Sequence, residues 1–228
     1  MSEPELIIFD CDGVLIDSEI IAASVEADLL KENGYEIDVH EHAMRFTGLN
    51  FSQTVKIIEA ETGRSFPDDI CDKVEAEIDS RLWRDVEALP GAQEILDALD
   101  QPRCICSNSV DERLKMSLTK TKLWDRFRPY VFSALSLPGV AVKPAPDIFL
   151  HAAREFEVEP AQCVVIEDSA HGVAGAVSAG MRVIGFVGAS HTYPGHADQL
   201  TEAGAETIIA RLADIRPVVD AFATWEGI

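Results

Sequence analysis

Short apolar runs, each ended by polar residues, constrain the fold of this chain more than any other feature of its sequence. The four clearest runs are Leu6 to Asp10, Arg103 to Ser107, Cys163 to Glu167 and Arg182 to Val187. A continuous apolar run of this length is typical of a strand that is buried on both faces of a sheet. Two weaker candidates of the same kind are Tyr130 to Ser133 and Glu206 to Ile209.

Between these runs, apolar residues recur with the period of a helix. Ala92, Ile95, Leu96 and Leu99 follow the i, i+3, i+4, i+7 spacing, and the spacing returns between Ile148 and Phe156. Strands that alternate with helices are typical of a parallel sheet with right-handed crossovers. The sequence therefore predicts an α/β fold.

The segment from residue 17 to residue 87 interrupts this alternation. It contains no strong strand candidate, but it repeats helical stripes such as Ile21, Val25 and Leu29. One crossover helix needs far fewer residues than this segment supplies. We therefore predict an inserted helical domain of the four-helix type at 17–87, and an α/β core domain formed by residues 1–16 and 88–228.

Composition excludes several classes of partner. The chain has 19 Lys and Arg against 40 Asp and Glu, a formal net charge of −21, which opposes attraction to nucleic acids and anionic membranes. No apolar stretch is long enough for a membrane span, and the acidic N-terminus does not resemble a signal peptide. With no Cys-x-x-Cys pair, the cysteines are expected to be reduced, which predicts a cytoplasmic protein.

Polar residues follow the predicted strands, at the sheet edge where open α/β folds bind their ligands. Asp10 and Asp12 follow the first strand, Ser107 and Asn108 the second, and Glu167 and Asp168 the fourth. Lys143 precedes a helix that comes after the weaker third strand. Each could instead be a helix cap or a loop residue, but their shared placement at strand ends favours a functional site. His191 and His196 fall in a loop-like stretch and are predicted to lie on the surface.

These residue types suit the hydrolysis of a phosphate ester. A carboxylate such as Asp10 can attack phosphorus, and Asp12 could act first as a general acid and then as a general base. Asp10 and Asp168 could ligate a Mg²⁺ ion directly, with Glu167 acting through water. Ser107, Asn108 and Lys143 would bind the transferring oxygens.

Four segments together resemble the motifs of the haloacid dehalogenase superfamily, in the phosphatase subgroup with a helical cap. They begin Phe9-Asp10-Cys11-Asp12-Gly13, Ser107-Asn108-Ser109, Lys143-Pro144-Ala145-Pro146-Asp147 and Ile166-Glu167-Asp168-Ser169. The resemblance implies a Rossmann-like core. It also implies that Asp10 is the nucleophile, that Asp12 is the acid/base, and that Ser107 and Lys143 bind phosphate. The metal would be held by Asp10, Asp168 and the backbone carbonyl of Asp12.

Within the superfamily, the chain is similar to 6-phosphogluconate phosphatase and to β-phosphoglucomutase. The segment Arg45 to Asn50 resembles the specificity loop of both, which implies that Arg45 and Asn50 bind substrate. The mutase pattern has a histidine where Ala22 stands and a phosphate-binding arginine where Phe51 stands. Both departures favour hydrolysis of a sugar phosphate or a phosphosugar acid.

Two alternatives stay open at this point: a phosphosugar mutase, and a non-enzymatic phospho-acceptor signalling domain. The signalling domain would need no inserted helices and no acid two residues after the nucleophile. The expected partner is a small phosphorylated substrate, with neither nucleic acid nor membrane involved. We expect the protein to be a monomer or a weak dimer.

Overall fold

Six strands form one parallel sheet in the computed structural model, which describes residues 4–46 and 49–224. The strands are β1 (Leu6–Phe9), β2 (Arg103–Ser107), β3 (Val131–Ser133), β4 (Cys163–Glu167), β5 (Arg182–Phe186) and β6 (Thr207–Ile209). Their order across the sheet is β3-β2-β1-β4-β5-β6, which is the doubly wound order. The predicted α/β, Rossmann-like fold is therefore confirmed, and the two weaker strand candidates are its edge strands.

The central strand β1 shows why these runs are apolar at every position. Leu6 and Ile8 point into the core on one face of the sheet, whereas Ile7 and Phe9 point into the core on the other. All four residues are fully buried. Successive side chains of a strand point to opposite faces, so a strand covered on both sides has no solvent-facing position to fill with a polar residue.

Seven helices flank the sheet after the chain returns to it. They are α5 (Ala92–Ala98), α6 (Asp111–Lys120), α7 (Trp124–Phe127), α8 (Asp147–Glu155), α9 (Ala170–Ser178), α10 (His196–Glu202) and α11 (Ile215–Thr224), with short 3₁₀ turns at Pro160–Gln162 and Leu212–Asp214. Apolar residues of α8 and α9 pack on the same face as Leu6 and Ile8. Within the described ranges, no helix is both long enough and apolar enough to cross a membrane.

Four helices lie between β1 and α5, and we call them the cap helices. They are α1 (Glu19–Glu32), α2 (Val39–Phe46), α3 (Phe51–Thr62) and α4 (Ile70–Asp85). The apolar stripe of α4 is buried at all four of its positions, Ile70, Val74, Ile78 and Leu82. The side chain of Arg81 ties α4 to α1, because it bonds Asp28 at 2.8 Å. The division into domains at residues 17 and 87 stays a prediction.

The two connections between the sheet and the cap helices run side by side. Ile16 and Ala88 form an antiparallel bridge. The amide of Asp17 donates to the carbonyl of Glu87 at 3.0 Å, and the amide of Leu89 donates to that of Leu15 at 2.9 Å. Since the first connection follows directly from the carboxyl end of β1, this pairing places the cap helices over that edge of the sheet.

Candidate active site

The carboxyl edge of the sheet and the cap helices enclose a cavity of about 690 Å³. All seven residues that we predicted from the strand ends line it: Asp10, Asp12, Ser107, Asn108, Lys143, Glu167 and Asp168. Strand register explains this convergence, because Phe9 pairs with Ile105 of β2 and with Ile166 of β4. The residues that follow these pairs therefore emerge at one level of the sheet.

Lys143 lies at the centre of the polar cluster. Its ammonium group donates to Asp10 Oδ1 at 2.5 Å, to Glu167 Oε1 at 2.6 Å and to the carbonyl oxygen of Cys106 at 2.7 Å. An ammonium group has three donors, so this buried lysine is fully satisfied. Burial lowers the pKa of Lys143, but the charges of Asp10 and Glu167 outweigh burial and raise it above its usual range.

Asp10 directly follows β1, and its amide donates to the carbonyl of Ile166 at 2.9 Å. Only 7% of the residue is exposed. Lys143 holds Oδ1, and no described residue donates a hydrogen bond to Oδ2. Burial raises the pKa of Asp10 well above its usual value, and the nearby carboxylate of Glu167 adds to this shift against the opposing effect of Lys143. The free oxygen of Asp10 suits a nucleophile.

Asp12 is oriented by three hydroxyl groups from two segments of the chain. Ser18 donates to its Oδ1 at 2.7 Å, and Ser109 donates to its Oδ2 at 2.7 Å, with Ser107 farther away at 3.4 Å. Ser18 and Ser109 were not among the predicted site residues, although both stand beside them in the sequence motifs. Hydroxyl groups can also accept hydrogen bonds, so this carboxyl group can gain or lose a proton while its partners stay in place.

Asn108 fixes the loop that carries Lys143. Its side-chain oxygen accepts a hydrogen bond from the amide of Lys143 at 3.0 Å, and its nitrogen donates to the carbonyl of Lys143 at 3.4 Å. Asn108, which we predicted to bind substrate, therefore positions the backbone of Lys143 in this structure.

Glu167 is held inside the cluster by the start of α9. Its Oε2 accepts hydrogen bonds from the amide of Ser169 at 3.0 Å and from the hydroxyl of Ser169 at 2.9 Å. The space that it occupies exists because residue 172 is glycine: a Cβ atom at Gly172 would lie 1.8 Å from Glu167 Oε1. Ser169 also caps α9, since its hydroxyl accepts a hydrogen bond from the amide of Gly172 at 3.0 Å.

Two histidines contact Asp168, and our prediction that they lie on the surface is wrong. His191 Nε2 lies 3.1 Å from Asp168 Oδ2, and His196 Nε2 donates to the backbone carbonyl of Asp168 at 2.6 Å. Both rings are buried, and burial lowers the pKa of each below its usual value. His191 follows β5 at the same edge of the sheet, so the strand-end rule that selected the other residues would have found it.

The donor set around Asp10 and Asp168 suits a hard cation such as Mg²⁺, which binds through one or two carboxylates and keeps several waters. Burial, reinforced by neighbouring carboxylates such as Glu167, raises the pKa of Asp168 as it does that of Asp10. Gly13 brings the backbone against Asp168, because a Cβ atom there would lie 1.8 Å from Asp168 Oδ2. Among the described residues, no three His, Cys, Asp or Glu side chains form a preformed cage for a metal. A site with few protein ligands is consistent with that finding.

Arg45 and Asn50, the two predicted substrate-binding residues of the cap, do not line the cavity. Arg45 forms an ion pair with Glu61 and donates to the hydroxyl of Tyr35 at 2.8 Å. Asn50 is the N-cap of α3 and accepts a hydrogen bond from the amide of Gln53 at 2.9 Å. Both side chains are therefore bonded elsewhere. Residues 47 and 48 of the predicted specificity segment lie outside the described residues.

The family model of the haloacid dehalogenase-like hydrolases matches residues 7–186. This range holds the cap helices and all seven of the strand-end residues that line the cavity. The chain belongs to this family. A 6-phosphogluconate phosphatase of Escherichia coli (strain K12) is 30% identical over 195 residues, covering 85% of this chain and 87% of that protein. The resemblance to the haloacid dehalogenase superfamily is thus confirmed, and the chain is a hydrolase rather than a phospho-acceptor signalling domain.

Two solved structures extend the likeness to the whole fold. A haloacid dehalogenase-like protein of unknown function from Agrobacterium tumefaciens is 53% identical, with a TM-score of 0.94, covering 96% of this chain and 99% of that one. A haloacid dehalogenase family hydrolase from Deinococcus radiodurans, solved with bound phosphate and sodium, is 31% identical, with a TM-score of 0.85 and complete coverage of both chains.

Proposed function

We propose that this hydrolase is a Mg²⁺-dependent phosphatase that acts on a small phosphorylated metabolite, a sugar phosphate or phosphosugar acid, through a phosphorylated Asp10. The observation that carries the proposal is the arrangement of Asp10 and Asp12 at the floor of the cavity, with Lys143 holding one oxygen of Asp10. The phosphatase activity named for the Escherichia coli relative and the phosphate bound by the Deinococcus radiodurans relative support it.

The first step is attack of Asp10 Oδ2 on the phosphorus of the substrate. A bond forms between Asp10 and phosphorus, and the bond from phosphorus to the ester oxygen breaks. Asp12 gives its proton to the leaving oxygen, so that the product departs as an alcohol. Lys143, Ser107 and Asn108 stand beside the transferring group and supply positive charge and hydrogen-bond donors.

The second step reverses the role of Asp12. Its carboxylate takes a proton from a water molecule, whose oxygen attacks phosphorus and releases inorganic phosphate from Asp10. The hydroxyls of Ser18 and Ser109 keep Asp12 in one position through both steps. Asp10 returns to its starting state, and Asp12 has regained the proton that it donates in the next cycle.

A bound Mg²⁺ ion would supply Lewis-acid charge that offsets the repulsion between the phosphate and the surrounding carboxylates. The residues that would hold it are Asp10, Asp168 and the backbone carbonyl of Asp12, with Glu167 acting through water. In the structure Glu167 bonds Lys143 and Ser169, so it also helps to keep the lysine in place.

The test is Asp10→Asn, which keeps the side-chain shape but removes the nucleophile. We expect a folded protein whose turnover of an aryl phosphate falls by about 10³-fold or more, because the covalent step is lost. Asp72→Asn, which changes an exposed aspartate of α4, is the matched control and should keep full activity. Acid quenching of the wild type with ³²P-labelled substrate should trap a labelled protein. Appreciable activity of Asp10→Asn, together with no trapped label at any time, would refute the proposal.

The proposed metal is tested separately. Activity should be abolished by excess chelator, restored by Mg²⁺ and not restored by Ca²⁺, which prefers longer bonds and a higher coordination number. Full activity in excess chelator would show that no divalent cation takes part.

A further inference from the structure

The half of the cavity that faces the proposed phosphate site from the cap helices is acidic. Glu19 and Glu26 come from α1, and Glu75 and Asp79 come from α4. The phosphoryl group of a substrate would lie at Asp10, so this half of the cavity must receive the part of the substrate that leaves as an alcohol. Its chemistry therefore bears on which phosphate esters the enzyme accepts.

The cavity offers this part of the substrate no free positive charge. In the described part of the chain, the Lys and Arg side chains that line it are Lys143 and Arg113. Lys143 is bonded to three oxygens at the sheet edge. Arg113 of α6 spans the gap to α4, with Nη2 at 2.7 Å from Glu75 and Nε at 2.8 Å from Asp79. The residues outside the described ranges include neither lysine nor arginine.

His42 does not supply the missing charge. It is 3% exposed and lines the cavity, with Nε2 at 3.2 Å from Glu26 Oε2 and with no hydrogen-bond partner for Nδ1 among the described residues. Burial lowers the pKa of His42 to about 4, so the ring is neutral at physiological pH. Burial and the charge of Glu19 raise the pKa of Glu26 to about 8. The repulsion between these acids is therefore reduced by protonation of Glu26 and not by a neighbouring cation.

We infer that the enzyme selects phosphate esters whose leaving group carries no anion and presents hydrogen-bond donors, either hydroxyl or ammonium groups, to the carboxylates of α1 and α4. A second anion would enter a partly enclosed space that holds acids and no uncommitted cation. Above about pH 8, where Glu26 is ionised, the resulting like-charge contact opposes binding. Donor groups would find Glu19 and Glu26 as acceptors. The inference rests on the proposed phosphatase activity and specifies its substrate class.

The first test compares substrates that differ in one group. Sorbitol 6-phosphate and 6-phosphogluconate have the same carbon chain, but one ends in a hydroxymethyl group and the other in a carboxylate. At pH 8.5, where Glu26 is ionised, we expect kcat/KM to favour sorbitol 6-phosphate by about tenfold or more. Glucosamine 6-phosphate, compared with glucose 6-phosphate, separates ammonium from hydroxyl recognition and should be hydrolysed at least as well.

The second test assigns the discrimination to the cap helices. At pH 8.5, Glu26→Gln should reduce the preference for sorbitol 6-phosphate over 6-phosphogluconate severalfold, because it removes charge and keeps shape. Glu32→Gln, an exposed glutamate at the end of the same helix, is the matched control and should leave the ratio unchanged. An unchanged ratio in Glu26→Gln, or an equal change in both variants, would refute the role of these carboxylates.

The outcomes also separate this inference from the proposed function. If 6-phosphogluconate is hydrolysed as well as sorbitol 6-phosphate while an aryl phosphate is turned over, only the specificity is wrong. If no phosphate is released from any ester, the aryl phosphate included, the phosphatase activity itself is wrong.

Discussion

Lys143 allows several buried acids to share one site. Its three donors bond Asp10, Glu167 and a backbone carbonyl, so one cation satisfies oxygens from three neighbouring strands or their ends. A compact ammonium group fits this space, whereas the larger planar guanidinium group of arginine directs its donors differently. The identity of this residue is therefore fixed by geometry as well as by charge.

The pair of Glu26 and His42 gives a prediction about stability and pH. The pKa of Glu26 is raised by burial to about 8, so folding favours its protonated form, and its ionisation destabilises the protein as the pH rises from about 4.5 towards 8. Each unit of pKa difference corresponds to at most about 1.4 kcal/mol. Glu26→Gln should therefore raise the melting temperature relative to wild type at pH 8, with little difference at pH 5, as measured by scanning calorimetry.

The expected sign depends on both members of the pair being neutral. His42, whose pKa is lowered by burial to about 4, destabilises the fold as the pH falls below 6.5, and it does so in wild type and variant alike. If the two side chains formed an ion pair instead, Glu26→Gln would lower the melting temperature at neutral pH. That result would contradict the prediction.

The position of a site residue in the fold decides whether it could be predicted from the sequence. Asp10, Ser107 and Asp168 lie at strand ends, and a parallel sheet alone brings such positions together. His191, in the segment that follows β5, is within reach of the same rule. Glu26 reaches the cavity from a cap helix, and its position depends on how that helix packs over the sheet, which no local pattern encodes.

At the scale of elements, the strands were predictable because burial on both faces leaves a continuous apolar signal. The edge strands β3 and β6 carry a weaker signal, since only the last residue of each is buried. The cap helices were predictable as helices from the spacing of their apolar residues. Which of their polar residues face the cavity was not predictable from that spacing. Arg45 and Asn50 illustrate the difference: the motif that contains them resembles a specificity loop, yet in the structure one pairs with Glu61 and the other caps α3.

The placement of α2 leads to a prediction for Arg45→Ala. Because Arg45 is bonded to Glu61 and Tyr35 outside the cavity, its loss should change kcat/KM by less than about twofold, and equally for a sugar phosphate and an aryl phosphate. Its partly exposed ion pair should contribute at most about 1 kcal/mol to stability. Parallel assays of both substrates, with urea unfolding of both proteins, provide the measurement.

A selective loss on the sugar phosphate would show that α2 moves when substrate binds and brings Arg45 into the cavity. Arg45 would then bind substrate, as the motif implies, and our prediction that it takes no part in substrate recognition would be wrong. Glu61→Gln distinguishes the two cases further, since it frees Arg45 from its ion pair without removing the arginine.

At the scale of the whole molecule, charge and architecture together favour hydrolysis over the phosphosugar mutase reaction. A mutase must retain a bisphosphate, which requires a second cationic contact on the cap side. Phe51, which stands where the mutase pattern has its phosphate-binding arginine, is 6% exposed within the core of the cap helices. Ala22, which replaces the histidine of that pattern, lines the cavity and adds no charge. The net charge of −21 further opposes retention of two phosphates.

We therefore expect β-glucose 1-phosphate, incubated with Mg²⁺ and a trace of β-glucose 1,6-bisphosphate, to yield glucose and inorganic phosphate in equal amounts. On the proposed mechanism both reactions would pass through phosphorylated Asp10 and would differ in what attacks it next. With no uncommitted cation on the cap side among the described residues, the departing sugar is not held for a second transfer, and Asp12 activates water instead. The rate should not depend on the bisphosphate, and Asp10→Asn should form neither product. Accumulation of glucose 6-phosphate without free phosphate would identify a mutase.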